Sequence, residues 1–400
     1  KRKIVNSTNP GKFSWHSRDL ILAGIFIMAV LGLLNTGQGG LENFIAAADK
    51  PSSVYGDFCE YYYPAGRMIS KHGQPLGGYF YTPSFALVLQ LFAPDSISDA
   101  RFRWQILQHL SIALFLLMPA IRLARRGRRK IWFFLYILLT LLSFPLWHNL
   151  KWGQVSVILT LLCLAGLVFY ERGQKWPAAV ALSLATLIKY YPGVLILYFL
   201  LNRDFRFIGR YALCLFVFGL CLPATILGPG TTIDFYRLVN AEMTYALDWV
   251  AFDLNSQFFP HVIMRLFGLE PEGAIRGVLT LLGLGIFLAV LLKIPRVCKA
   301  GPHDHTFTAS GLLLTFPLLI NTSWPHYFVY LPFCIILLLQ KAVTPGQRWC
   351  VIAAAFLQSI FIYAVSGYQF YSGLGFLLTA NLLLLGTWFS ALKAPPGSAA

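Results

Sequence analysis

The sequence predicts an all-α polytopic membrane protein, and three observations predict it. Of 400 residues, 57% are hydrophobic and only 12% are charged, about half the charge of an ordinary soluble domain. Apolar runs at or just below the ~20 residues that cross a bilayer recur along the whole chain. Basic residues gather in clusters that alternate with more acidic segments, the pattern of a chain oriented by its cytoplasmic Lys and Arg. With a mean hydropathy of +0.63, such a chain cannot cover itself with polar groups. A soluble enzyme is excluded, and so is disorder, which needs few apolar residues and many charges. In a soluble protein the net charge of +16 would point to nucleic acid. Here it reads as a basic inner face, and no nucleic-acid partner is expected.

The apolar runs fall at 20–35, 81–124, 131–147, 153–170, 177–201, 211–228, 274–294, 309–340, 349–366 and 373–392. Residues 20–35 are followed by no small-residue cleavage site and are expected to remain as a span. The runs 81–124, 177–201 and 309–340 are interrupted by proline or polar residues. Broken spans are tolerated only where they line a cavity inside the protein, so an intramembrane pocket is expected. Basic clusters at Lys1–Lys3, Arg125–Lys130, Arg172/Lys175, Arg203/Arg206/Arg210, Arg296/Lys299 and Lys341/Arg348 are placed inside. The segments 36–80, 148–152, 189–192, 229–273, 321–326 and 367–372 then lie outside. About twelve crossings with both ends inside follow. The scheme requires 177–188 and 193–201 to be separate short crossings, and 81–94 to be a half-helix or re-entrant piece. All 400 residues are read as one integral-membrane domain with two long outer segments. The first is 36–80. The second, 229–273, is amphipathic and suits a helix at the membrane interface. The end of the chain, APPGSAA, reads as a flexible tail. The seven cysteines are scattered, with no CxxC pair, and read as small apolar fillers.

Four places carry chemistry. Asp57, in VYGDFCEYYYPAG, puts a carboxylate at the outer surface beside Tyr61, Tyr62 and Tyr63. Burial or a nearby cation would tune it as a general base; alternatively it caps a helix, with Glu60 at N3. Lys189 interrupts LSLATLIKYYPGVLIL. An ionisable group inside an apolar stretch is costly and usually functional, although a lysine can also snorkel to a headgroup. Pro192 predicts that the helix breaks here, leaving the ammonium free to meet a phosphate. His148, Asn149 and Gln154 belong to the polar hinge HNLKWGQ, whose amides suit sugar hydroxyls. His326, in NTSWPHY, is placed to bind a phosphate oxygen or move a proton. Asn255, Ser256 and Gln257 form a weaker set, and His303 with His305 a weak metal candidate. No P-loop, GxGxxG, HExxH or GxSxG sequence is present. The charge scheme places Asp57, the HNLKWGQ turn, Lys189 and His326 on one side of the membrane, where together they would make an active site.

The ordered motifs GDF(x)₂YYYPAG, YFYTPSFAL, WGQVSVILTLL, LSLATLIKYYPGVLILYFLLNRDFR and SWPHYFVYLP resemble glycosyltransferase family 87, of the GT-C superfamily of membrane glycosyltransferases. The resemblance spans roughly residues 19–340. It departs from the family pattern at Tyr81-Thr82-Pro83, where Tyr-Pro-Pro is usual, and at Ser156, where Asn is usual. It implies a GT-C fold with an extracytoplasmic first loop and juxtamembrane helices. It also implies transfer of a sugar, mannose first among candidates, from a polyprenyl phosphate to a lipid or glycan acceptor, by inversion. A bacterial cytoplasmic membrane is the implied location, with the site on its outer face. Asp57 matches the general base, and Lys189 and His326 match the groups that meet the donor phosphate. Tyr61, Tyr62, Tyr81, His148, Asn149, Gln154 and Tyr190 are taken as substrate contacts. No cofactor and no metal is expected, since side-chain cations can serve the phosphate. A transporter or flippase of lipid-linked glycans is the alternative, because broken helices and an intramembrane lysine fit that too.

Overall fold

The computed structural model describes residues 55–72, 78–94, 96–125, 130–270, 273–299, 304–342 and 344–392. Run 20–35, most of the first outer segment before Tyr55, the inner loop around 126–129 and the last eight residues fall outside them. The described residues are predominantly helical. They hold no β-strand, only an isolated bridge between Ser143 and Ser359. Two helical stretches, Phe205–Leu227 and Ala274–Pro295, are long and apolar enough to cross a membrane. Most of their residues face outward, among them Leu213, Phe216, Leu220, Leu281, Leu288 and Leu292. An outward face of that kind is stable against lipid and not against water.

Proline explains why so many other helices are short. It lacks an N–H and fixes φ, so it fits the first turn of a helix and breaks an interior. Pro83, Pro145, Pro192, Pro223, Pro260, Pro317, Pro325, Pro332 and Pro345 each stand at the start of a helical segment. The run 81–124 accordingly divides into Pro83–Leu89, a short 3-10 turn, and Ile97–Arg125. The run 177–201 divides at Lys189, between Lys175–Ile188 and the 3-10 helix Tyr191–Leu195. The run 309–340 divides into His305–Leu313, Phe316–Leu319, a 3-10 helix Pro325–Tyr330 and Leu331–Leu339. In the second long segment, Pro229–Val250 is one helix. An irregular stretch follows it, and then Phe259–Leu266.

The hinge expected at 148–154 is corrected in one respect. Residues 148–152 are not a loop but the end of a helix, Phe144–Trp152, and the chain turns only at Gly153. His148, Asn149 and Lys151 are all buried, so their side chains pack inside the bundle and hold the backbone helical. Gly153 adopts the left-handed conformation, φ +65°, that ends a helix most cheaply when no side chain is present.

The segment carrying Asp57 is fastened onto this turn. Tyr55 N–H donates to the Lys151 carbonyl at 2.6 Å, and Tyr55 itself has φ +65°, uncommon for a non-glycine residue. Behind it, Phe58 stacks on Trp104 at 4.8 Å. Tyr63–His72 then packs on Pro83–Phe92, with Gly66 against the Leu89 carbonyl. A Cβ added at Gly66 would lie 2.5 Å from that oxygen, and backbone cannot yield as a side-chain tip can. Gly66→Ala is therefore expected to destabilise the protein by about 1–3 kcal/mol, read as a lower unfolding temperature in detergent. An unchanged temperature would mean the two segments do not pack this tightly.

Candidate functional site

Residues 57–62 do not form an ordinary helix. Phe58–Tyr62 is a single π-helical turn, a form that concentrates at functional positions because its extra residue redirects side chains. Asp57 occupies the cap position, yet its side chain makes no capping bond. Its carboxylate instead accepts a hydrogen bond from Gln154 Nε2, across 97 residues of sequence.

Gln154 is the centre of the site. Its Oε1 accepts from Tyr62 OH at 2.9 Å and from Lys189 Nζ at 3.4 Å, with Tyr81 OH also 3.4 Å from it. Its Nε2 serves Asp57. These partners fix the amide orientation, because a carboxylate needs a donor and an ammonium an acceptor. One amide thus bridges the base candidate and the cation candidate and holds them apart. Tyr62 OH and Tyr81 OH lie 2.5 Å from each other. Lys189 also donates to Tyr327 OH at 3.2 Å, and its ammonium lies 4.3 Å from the Tyr327 ring centre, a cation–π arrangement. Its backbone is extended at the end of Lys175–Ile188, which frees the side chain from the helix face and turns it inward, where it is buried.

The Gln154 turn is itself held from behind. Trp104 Nε1 donates to the Gly153 carbonyl at 2.9 Å, and Gln108 Nε2 to the Gln154 carbonyl at 2.8 Å. Asn149 completes this support. It donates to Gln108 Oε1 at 3.1 Å and accepts from Ser156 N–H at 3.0 Å. Fully buried and absent from the cavity wall, Asn149 supports the site rather than touching a substrate. That corrects its expected role. The physical cause is that its amide is engaged at both ends, by Gln108 and by the Ser156 N–H.

A cavity of about 800 Å³ opens onto this network. Asp57, Tyr61, Tyr62, Tyr81, His148, Gln154, Lys189, Tyr190 and His326 all line it. His326 lies in the 3-10 helix Pro325–Tyr330, beside His148. Phe80, Val194, Phe316, Leu319 and Ile320 provide an apolar wall, and Glu242, Asp253 and Asn255 a polar one. Sequence reasoning passed over Tyr327, Glu242 and Asp253. Tyr327 directly follows His326, and that adjacency was the available signal. Of the weaker set, Asn255 faces the cavity, whereas Ser256 pairs with His261 at 2.7 Å and Gln257 with the Ser372 carbonyl at 3.1 Å. His303 lies outside the described residues, and His305 pairs with Tyr198 OH. Among the described residues no three His, Cys, Asp or Glu side chains gather as a metal site would need.

Asp57 lies outside the two stretches long and apolar enough to span a membrane and lines the cavity. Burial strips water from its carboxylate and raises its pKa from 3.8 to about 6, against the opposing pull of the Gln154 hydrogen bond and the Lys189 charge. A base near neutrality is what proton abstraction at physiological pH requires.

Comparison with known proteins gives this geometry a family. The model of glycosyltransferase family 87 matches residues 79–322. Gln154 and Lys189 lie inside that stretch. His326 lies four residues beyond its end and Asp57 22 residues before its start, and both reach the site through the fold. Among curated relatives, the polyprenol-phosphate-mannose-dependent alpha-(1-2)-phosphatidylinositol mannoside mannosyltransferase of Mycolicibacterium smegmatis is 27% identical over 193 residues, 47% of this chain and 42% of the relative. The matched region thus spans less than half the length of that protein. Because the family match covers well over half of the sequence and contains the turn and the lysine on which the site is built, the chain belongs to glycosyltransferase family 87.

Proposed function

We propose that the protein transfers a sugar from a polyprenyl-phosphate donor to a hydroxyl of a lipid or glycan acceptor, at the extracytoplasmic face of a bacterial cytoplasmic membrane it crosses about twelve times. Mannose is the favoured sugar, on the strength of the relative's name. The observation that carries the reading is the Asp57–Gln154–Lys189 bridge at the edge of the cavity: a base and a cation held apart by one amide.

The acceptor oxygen attacks the anomeric carbon as its proton passes to Asp57. The bond from that carbon to the phosphate oxygen breaks on the opposite face, so the configuration inverts. The polyprenyl phosphate leaves with the electron pair, and the charge growing on its oxygens is met by Lys189 and His326. Lys189 and His326 are both buried, and away from bulk water such interactions are strong. A phosphate leaves readily enough that no strong acid is required, and the ammonium supplies the positive charge a metal ion would otherwise bring. The apolar wall at Phe80, Val194 and Phe316 suits the first isoprene units, and the polar wall suits a polyhydroxylated acceptor.

The test is transfer of radiolabelled mannose from polyprenyl-phosphate-mannose to membrane lipid acceptors by the purified protein in liposomes. Product is expected, with the anomeric configuration opposite to the donor's. Absence of transfer with this donor and with polyprenyl-phosphate-glucose would refute the reading. Its pH dependence is specific. Asp57 acts as a base only when ionised and its pKa is about 6. The rate is therefore expected to be flat above pH 7 and to fall about tenfold per unit well below pH 6. A rate constant down to pH 4.5 would remove Asp57 from the proton transfer.

A further inference from the structure

His148 and His326, 178 residues apart in sequence, meet through their Nδ1 atoms at 3.2 Å. Their ring centres are 5.3 Å apart and their planes differ by only 25°. With nitrogens this much closer than ring centres, the imidazoles touch edge to edge and nearly in one plane, the geometry of an N–H···N hydrogen bond rather than of a stack. Both rings are buried. Phe144 packs edge-on to His148 at 5.7 Å, and Tyr327 edge-on to His326 at 5.0 Å, so neither is free to swing away.

Two bare Nδ1 lone pairs do not sit 3.2 Å apart, so one Nδ1 carries hydrogen and the other accepts it. A neutral imidazole has a single N–H. The accepting ring therefore keeps its proton on Nε2, while the donating ring is left with a bare Nε2. The contact forces the two histidines into opposite tautomers. Both histidines line the cavity, and His326 Nε2 is buried with no hydrogen-bond partner within the protein; the sense of the bond follows from the leaving phosphate assigned to His326. A phosphate oxygen brought there accepts hydrogen bonds and would be repelled by a lone pair.

We propose that His148 is a positioning residue that donates its Nδ1–H to His326 Nδ1 and so holds His326 in the tautomer whose Nε2–H faces the leaving phosphate. This rests on the leaving-group role given to His326 above. The second histidine then does for the first what a backbone carbonyl or carboxylate does for many catalytic imidazoles, with the sense of the hydrogen bond reversed: the partner donates, and the outward nitrogen becomes a donor rather than a base.

The test uses the full-length protein in liposomes with polyprenyl-phosphate-mannose. An asparagine amide nitrogen occupies nearly the place of Nδ1 and can donate the same bond, whereas leucine cannot. His148→Leu is expected to lower kcat by about 100-fold, the scale of one lost donor to a developing oxyanion, with little change in donor KM. His148→Asn should restore most of that loss. The His148→Leu/His326→Ala double variant should be no slower than His326→Ala alone, because the effect travels through His326. Independently of turnover, ¹⁵N-histidine NMR, with the His326 signal assigned by its absence in His326→Ala, should show Nε2–H in the wild type and a tautomer mixture in His148→Leu. A wild-type His326 protonated on Nδ1, or His148→Asn as slow as His148→Leu in a folded protein, would overturn the proposal. Wild-type transfer by His326→Ala would instead sink the leaving-group reading, while the NMR result would still decide the tautomer. Should His148→Leu not fold, the asparagine variant and the wild-type spectrum suffice.

Discussion

Asp57→Asn is expected to reduce sugar transfer by about 10²- to 10⁴-fold, the range for a lost general base, while the protein remains folded and still binds donor. Asparagine keeps the shape and can still meet Gln154, so a loss of this size reports the missing base and not a collapsed wall. The same substitution is expected to raise stability. Asp57 has its pKa raised from 3.8 to about 6 by burial, so the folded state disfavours the ionised carboxylate. Well below pH 3.8 the group is protonated whether the chain is folded or not, and nothing is lost. As pH rises through 6 the cost reaches its full size, about 2–3 kcal/mol at 1.4 kcal/mol per pKa unit. At pH 8 the variant should therefore unfold at a higher temperature than the wild type, and the gap should narrow as pH falls toward 4. A site that gives up stability for activity has this signature. Equal transfer rates in the two proteins would exclude Asp57 as the base.

Lys189→Met is the second large effect. Methionine fills much of the volume without a charge. It removes the hydrogen bonds to Gln154 and Tyr327 together with the positive charge in the cavity. Loss of a charged hydrogen bond to a phosphate corresponds to about 1.5–3 kcal/mol, which is about 10- to 150-fold in kcat/KM for the polyprenyl-phosphate sugar. Lys189→Arg should recover little, because a planar guanidinium cannot occupy the compact space between Tyr81 and Tyr327. Donor kinetics in liposomes read this directly. Unaltered kcat/KM in Lys189→Met would place the leaving phosphate elsewhere.

The division between what could and could not be read from the sequence follows the range of the interactions. Breaks in the helices are local: Pro192 three residues beyond Lys189 is enough to end Lys175–Ile188, and Pro83 and Pro325 act the same way. Asp57, Lys189 and His326 were conspicuous because ionisable groups next to apolar runs are rare. The residues misjudged are those whose partners lie far along the chain. Asn149 looked like a sugar-binding amide, but Gln108 and Ser156 engage both its nitrogen and its oxygen. Gln154 looked like one polar residue among several, whereas its contacts with Asp57, Tyr62, Tyr81 and Lys189 make it the joint of the site. No periodicity encodes a contact across 97 residues. Tyr327 was hidden for a related reason. An aromatic in a 57% hydrophobic chain gives no sign that its hydroxyl meets an ammonium.

The fastening of the Tyr55–Phe58 segment to the Gly153 turn also bears on how the protein is made. Chains emerge N-terminus first at about 5–20 residues per second. Asp57 leaves the ribosome well before Lys151, whose carbonyl anchors Tyr55, before Gln154, which holds its carboxylate, and before Lys189, which balances its charge. For several seconds the acid lacks these partners and keeps the ordinary acidity of a hydrated aspartate. Its basicity is acquired only when the later helices insert and the turn at Gly153 closes over it. The capacity to take a proton near neutrality is thus a property the growing chain lacks and the finished bundle confers.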